Sequence, residues 1–252
     1  MQTDVGWLIV GHGTRSAAGQ AEFLRTFELL SQRSTVPVAC AFLELAEPTI
    51  AQGVARLAAQ GVRRVLIVPL LLFTAGHAKD DVPAAVAEAA ASHAMEVVGQ
   101  TGALEDHPQL LELSRQRFCE ASAKGSGQTP ENHSTALLLV GRGSSDAMAI
   151  EATQRYTAQL ARALRVPSET AFVAVARPTV AEALERLAER KFSQVVVLPH
   201  LLFQGEVLTT IRAHVAEIVC RFPRTQWLVA EHLGPHDLVV QAVLDRAASA
   251  WS

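Results

Sequence analysis

The stretch Leu8-Ile9-Val10-Gly11-His12-Gly13-Thr14-Arg15 decides the fold. A short apolar run ends in Gly-His-Gly and gives way to residues that can open a helix. That is the pattern of a buried strand, a tight turn and a helix N-terminus. The glycines let the backbone turn without the steric cost of a Cβ. The histidine is carried out at the carboxyl end of the strand, the edge of an open parallel sheet at which ligands bind. The same device recurs at Leu138-Leu139-Val140-Gly141-Arg142-Gly143-Ser144-Ser145, with Arg142 in the place of His12.

Gly141 lies 130 residues after Gly11, and the same offset pairs Phe42 with Phe172, Pro48 with Pro178, Thr49 with Thr179, Pro69 with Pro199 and Phe73 with Phe203. One residue is then dropped, so that Gly76 pairs with Gly205, His77 with Glu206 and His107 with His236. This is the duplication of one α/β unit, with the period of a domain rather than of a solenoid repeat. Each half carries about four strand signals and four helix signals in alternation. In the first half the apolar runs are Trp7–Val10, Val36–Leu43, Val65–Leu72 and Glu96–Gly99. Helical spacing covers Ser16–Gln32, Thr49–Gln60, the segment after Pro83 and Leu104–Glu120, with Thr74–Asp81 as a polar loop. Right-handed βαβ crossovers then give a parallel sheet with helices on both faces. The fold expected is α/β, with two similar domains facing each other across a cleft. The first spans residues 1–122 and the second 135–252, joined by a Gly/Ser/Pro-rich linker at 123–134.

Composition narrows the function. The formal net charge of −3 provides no global basic field for nucleic acid, so an acidic ligand would have to be held by local arginines. Cys40, Cys119 and Cys220 are far apart and form no CxxC pair, which fits three small buried apolar residues in a reducing cytoplasm. The N-terminus carries no basic leader, and no apolar run approaches the ~20 residues that span a bilayer. The expected protein is therefore cytoplasmic, with neither membrane nor nucleic acid as a partner. No GxGxxG, GxxxxGK[ST] or GxSxG motif occurs, and no arginine precedes His12 as it does in the Arg-His-Gly signature of histidine phosphatases.

Three metal-capable side chains fall just beyond successive strands of the first half: His12, Glu44 and His77. Two imidazoles and a carboxylate suit a divalent first-row ion with open coordination positions, and they suit proton abstraction near neutral pH. In the second half the same positions carry Arg142, Ala174 and Glu206: one working site and one retired or repurposed copy. Arg142 is a cation suited to a carboxylate. Arg15 reads equally as a surface charge or a ligand contact. Glu44 and Glu47 could instead cap the following helix, as could Asp80 and Asp81 ahead of Pro83. His93, His107, His133, His214, His232 and His236 read as solvated loop residues, and His200, which replaces Leu70, as a hydrogen-bonded core histidine.

Taken in order, Gly11-His12-Gly13-Thr14-Arg15, Phe42-Leu43-Glu44-Leu45-Ala46-Glu47-Pro48-Thr49, and Val68 through His77 into Asp80-Asp81-Val82-Pro83 resemble the sirohydrochlorin chelatases, class II chelatases, in their long, internally duplicated form. The resemblance covers nearly the whole chain outside the linker. It implies a lyase-class enzyme that inserts Co²⁺ or Fe²⁺ (a shorter homodimeric relative handles Ni²⁺) into sirohydrochlorin, a tetrapyrrole with eight carboxylates, towards cobalamin or sirohaem. It implies no prosthetic group and no nucleotide; the divalent metal is a substrate. The family histidines map onto His12 and His77 and the family glutamate onto Glu44, as metal ligands and proton acceptors. Arg15, Arg142 and Lys79 are candidates for the tetrapyrrole carboxylates. A chain that supplies both copies of the unit is expected to act as a monomer. Two rivals stay open: a non-catalytic tetrapyrrole or metal carrier, and a phosphate- or carboxylate-handling enzyme with His12 as nucleophile.

Overall fold

A computed structural model describes residues 4–73, 78–126 and 135–250. The first run of elements is β1 (Val5–Gly11), α1 (Ala17–Ser31), β2 (Val38–Phe42), α2 (Ile50–Ala59), β3 (Arg64–Pro69), α3 (Ala78–Ala91), β4 (Glu96–Gln100) and α4 (Pro108–Ser126). The second run is β5 (Thr135–Gly141), α5 (Ala147–Leu164), β6 (Ser168–Phe172), α6 (Val180–Glu189), β7 (Gln194–Pro199), α7 (Glu206–Arg221), β8 (Gln226–Val229) and α8 (Asp237–Ser249). Two parallel four-stranded sheets result, β2-β1-β3-β4 and β6-β5-β7-β8, with the same order and the same pairing of β1 and β5 with their neighbours.

The central strands are buried along their whole length, as their unbroken apolar runs require when helices cover both faces. In the first sheet Leu8, Val10, Ala39, Ala41, Val65 and Ile67 pack against α2 and α3 through Val54, Leu57, Val82 and Val86. In the second, Leu138 and Val140 face α6 and α7, while Leu137, Leu139, Val196 and Leu198 face Tyr156 and Leu160 of α5 and Phe118 of α4.

The last contact separates the compact units from the sequence repeats. One unit comprises the residues up to His107 together with those from Gly234 onward; the other is Pro108–Leu233. Thus α4, the last helix of the first repeat, packs on β7, β8 and α5, and α8, the last helix of the second, packs on β3 and α1. The repeats therefore exchange their final helices, a division that differs from 1–122 and 135–252. Of the expected linker, residues 123–126 continue α4, and 127–134 lie outside the described residues.

Local corrections have simple causes. The helix expected after Pro83 starts at Ala78, with Pro83 inside it. Asp80 and Asp81 thus lie in its first turn, where negative charge complements the helix dipole, rather than at a cap. The cap of α2 is Thr49, in a capping box with Gln52, so neither Glu44 nor Glu47 serves that purpose. Cys40 is buried, and burial pushes its thiol up to about 11, but Cys119 is only half-buried and Cys220 is exposed. His232 is buried rather than solvated, and His236 caps α8, its Nδ1 accepting from the Leu238 N–H. His133 lies outside the described residues.

Candidate functional site

The β1–β2 ladder brings His12 and Glu44 together. Gly11 pairs with Phe42 at the end of the parallel register. The pairing runs on past both strands: the Leu43 N–H donates to the Gly11 carbonyl at 2.9 Å and the Glu44 N–H to the His12 carbonyl at 3.1 Å. His12 and Glu44 are thereby held side by side, with His12 Nδ1 at 3.4 Å from Glu44 Oε1. Both side chains remain open to solvent, at 42% and 53% exposure, as a site that admits a metal ion must be. With Nδ1 facing the carboxylate, Nε2 is the nitrogen left for a metal.

Gly13 makes this approach possible. Its φ is +100°, and a Cβ there would lie 1.8 Å from the Glu44 carbonyl oxygen. Gly143 repeats the arrangement at φ +95°, with its Cβ position 1.8 Å from the Ala174 carbonyl oxygen. Sequence reasoning saw these glycines as turn formers; their second role, letting the β1–α1 and β2–α2 loops touch, emerges only from the register. Beyond Gly13 the loop is pinned: Thr14 Oγ1 accepts from the Ser16 N–H at 3.1 Å, Gln20 Nε2 donates to the Thr14 carbonyl at 2.7 Å, and Ser16 caps α1.

The second unit holds Arg142 and Ala174 in the same frame, through the Val173 N–H to the Gly141 carbonyl and the Ala174 N–H to the Arg142 carbonyl. Arg142 is exposed, as is Arg15 beside His12. Glu206 is exposed at the first residue of α7. His77 and the side chain of Lys79 lie outside the described residues. Among the described residues no group of three or more His, Cys, Asp or Glu side chains is placed to hold a metal. The structure therefore assembles the His12–Glu44 pair and leaves the third proposed ligand to the sequence.

Away from this edge, His200 is a core residue stacked on Tyr156 with ring centroids 4.4 Å apart, and burial pushes its pKa down to about 4. His107, near Asp245 at 3.6 Å, is also held below its ordinary value, first by burial and then by Arg246.

Duplicated parallel α/β units, with an imidazole and a carboxylate at the carboxyl edge of one sheet, define a chelatase-type architecture. A structure of SirB from Bacillus subtilis with Fe3+ superposes with a TM-score of 0.82 at 27% identity, over 98% of this chain and 95% of that one. The sirohydrochlorin chelatase SirB from Bacillus subtilis subspecies spizizenii in complex with cobalt gives 0.80 at 25% identity, over 98% and 94%. The sirohydrochlorin ferrochelatase of Priestia megaterium is 32% identical over 235 residues, 91% of this chain and 84% of its own length. The sirohydrochlorin cobaltochelatase of the same organism is 30% identical over 244 residues, 95% and 78%. The sequence model of the CbiX family matches twice, over residues 6–121 and 136–250, and this chain belongs to that family.

Proposed function

We infer that this protein is a sirohydrochlorin chelatase, exchanging two pyrrole N–H protons of the macrocycle for one divalent metal ion, Co²⁺ or Fe²⁺, with release of two protons. The observation that carries the reading is the His12–Glu44 pair, 3.4 Å apart, at the carboxyl edge of one sheet, set against Arg142 and Ala174 in the same frame of the other. A neutral imidazole can hold the ion without binding it permanently and can then accept a departing proton. Glu44 steadies the imidazolium that forms. His77, the second histidine of the sequence motif, is proposed to complete the ligand set. Arg15, Arg142 and Lys79 are proposed to meet the peripheral carboxylates as charge-assisted hydrogen-bond donors. Two copies of the unit in one chain support a monomer. Three free cysteines support a reducing compartment, and no described helix is long and apolar enough to cross a membrane.

The test is an absorbance time course with sirohydrochlorin and limiting enzyme, run separately with Co²⁺ and with anaerobic Fe²⁺. Many turnovers above the uncatalysed rate are expected. His12→Ala should lower kcat/KM by about 10²-fold or more. A stoichiometric spectral change that then stops would instead identify a carrier, and an unaltered rate in His12→Ala would remove the proposed site.

A further inference from the structure

Among the described residues, four large apolar side chains stand exposed: Leu45, Met148, Val175 and Val219. Three of them lie at the carboxyl edges of the sheets: Leu45 in the β2–α2 loop, Val175 in the β6–α6 loop, and Met148 in the first turn of α5. Leu45 and Val175 occupy the same position of the repeat, directly after Glu44 and Ala174, and are 50% and 77% exposed. Their backbones are unusual as well. Leu45 has φ +63° and Val175 φ +65°, the left-handed region that disfavours branched side chains. Among the described residues the other three non-glycine positions with positive φ, Ala94, Arg165 and Lys191, follow the C-terminal ends of helices, where that conformation is an ordinary stop. At Val175 the Ala176 N–H also donates back to the Ala174 carbonyl at 2.6 Å. Glycine would relax both positions. Folding alone explains neither the aliphatic side chain nor its exposure, and strain of this kind gathers where a ligand is gripped.

The comparison between the units says which part of a ligand. The second unit has lost His12 and Glu44 to Arg142 and Ala174, yet it keeps an exposed aliphatic with the same positive φ at the next position. What survives the loss of metal-capable groups is suited to the organic partner. Resting on the reading of this chain as a sirohydrochlorin chelatase, we propose that Leu45, directly after Glu44 at the carboxyl edge of the first sheet, covers part of the apolar face of the tetrapyrrole and so helps to hold it in place. A tetrapyrrole with carboxylates around its periphery presents apolar carbon faces around its four central nitrogens, and a side chain already in solvent gains by covering them.

The test uses the full-length Leu45→Asn variant, since asparagine accepts the left-handed backbone. Metal-free sirohydrochlorin is titrated spectroscopically, KM values for tetrapyrrole and for Co²⁺ are measured separately, and urea midpoints are recorded. The variant is expected to bind the tetrapyrrole about five- to tenfold more weakly, with the KM for Co²⁺ unchanged and the urea midpoint equal or higher. Wild-type affinity in the variant would overturn the proposal while leaving the chelatase reading intact. A fall in urea midpoint with affinity retained would assign the Leu45 side chain to packing and overturn it too. Failure of the wild type to bind sirohydrochlorin would overturn the chelatase reading and this proposal with it.

Discussion

Gly11 and Gly141 occupy the same place in the two repeats but meet different neighbours. A Cβ on Gly11 would lie 2.6 Å from the Phe23 ring, which is 2% exposed and packed on Phe42 at a centroid distance of 4.4 Å. That ring has nowhere to go. At Gly141 Thr153 stands where Phe23 does in the first repeat, and the nearest atoms, from Phe172 and Thr153, are at an ordinary 3.5 Å. Gly11→Ala is therefore expected to cost about 2 kcal/mol through overpacking, roughly 4–8 °C in Tm for a chain of this size. Gly141→Ala should stay within about 0.5 kcal/mol of wild type. Thermal melts of the two variants check the contrast directly. The sequence announces both glycines with the same motif; only the residue twelve positions further on, phenylalanine or threonine, separates a packing requirement from a tolerant site.

At the scale of elements, the end of β7 offers a controlled comparison with the end of β3. The His200 N–H donates to the Val140 carbonyl and the Leu70 N–H to the Val10 carbonyl, both at 2.8 Å, so the backbone is the same and only the side chain differs. Burial holds His200 at about 4 in the folded protein, whereas the unfolded chain takes up a proton near the ordinary histidine value of ~6.5. Because the unfolded state binds the proton first, the contribution of His200 to stability is intact above that value. It is lost as pH falls towards 4, on the order of 1 kcal/mol of it by about pH 5.5. His107, also depressed, acts in the same direction. His200→Leu, which restores the residue of the first repeat, is expected to flatten the decline in urea midpoint between pH 7.5 and 5.5. An equally steep decline in the variant would assign the effect elsewhere. Sequence reading placed this histidine in the core because it interrupts an otherwise apolar run. It missed the burial of His232, which follows a short edge strand and has no such run around it.

For the whole molecule, the exchange of α4 and α8 decides what a truncation does. A chain ending at Leu233 lacks α8, whose Val239, Val240, Ala242, Val243 and Ala247 are fully buried in the unit built on the first sheet. The residues removed are C-terminal, yet the damage is expected in the N-terminal sheet. Trp7 in β1 and Trp227 in β8, both buried, report the two sheets separately by fluorescence. In single-tryptophan versions of the truncated chain, the Trp7 signal should lose its cooperative urea transition while that of Trp227 keeps it. The reverse result would show units that follow the repeats. Strands, most helices and the duplication were legible from the sequence because apolar periodicity encodes them locally. The destination of the last helix was not, because the two sheets are near copies and an amphipathic helix carries no mark of which copy it covers. The His12–Glu44 pair was legible as residue types at a sheet edge; its closeness depended on a register that two separate strands had to supply.

The exchanged helix also orders events on the ribosome. The strands of the first sheet are complete at Gln100, but the helix that covers β3 beside α1 begins at Asp237. At about 5–20 residues per second of synthesis, the first sheet waits roughly 7–30 s, one face partly bare, until the end of the chain emerges. The opposite holds for its twin, which finds α4 already made when its own strands appear. The half translated first is thus the half finished last, and in the interval it is the part of the nascent protein most exposed to chaperones and to aggregation.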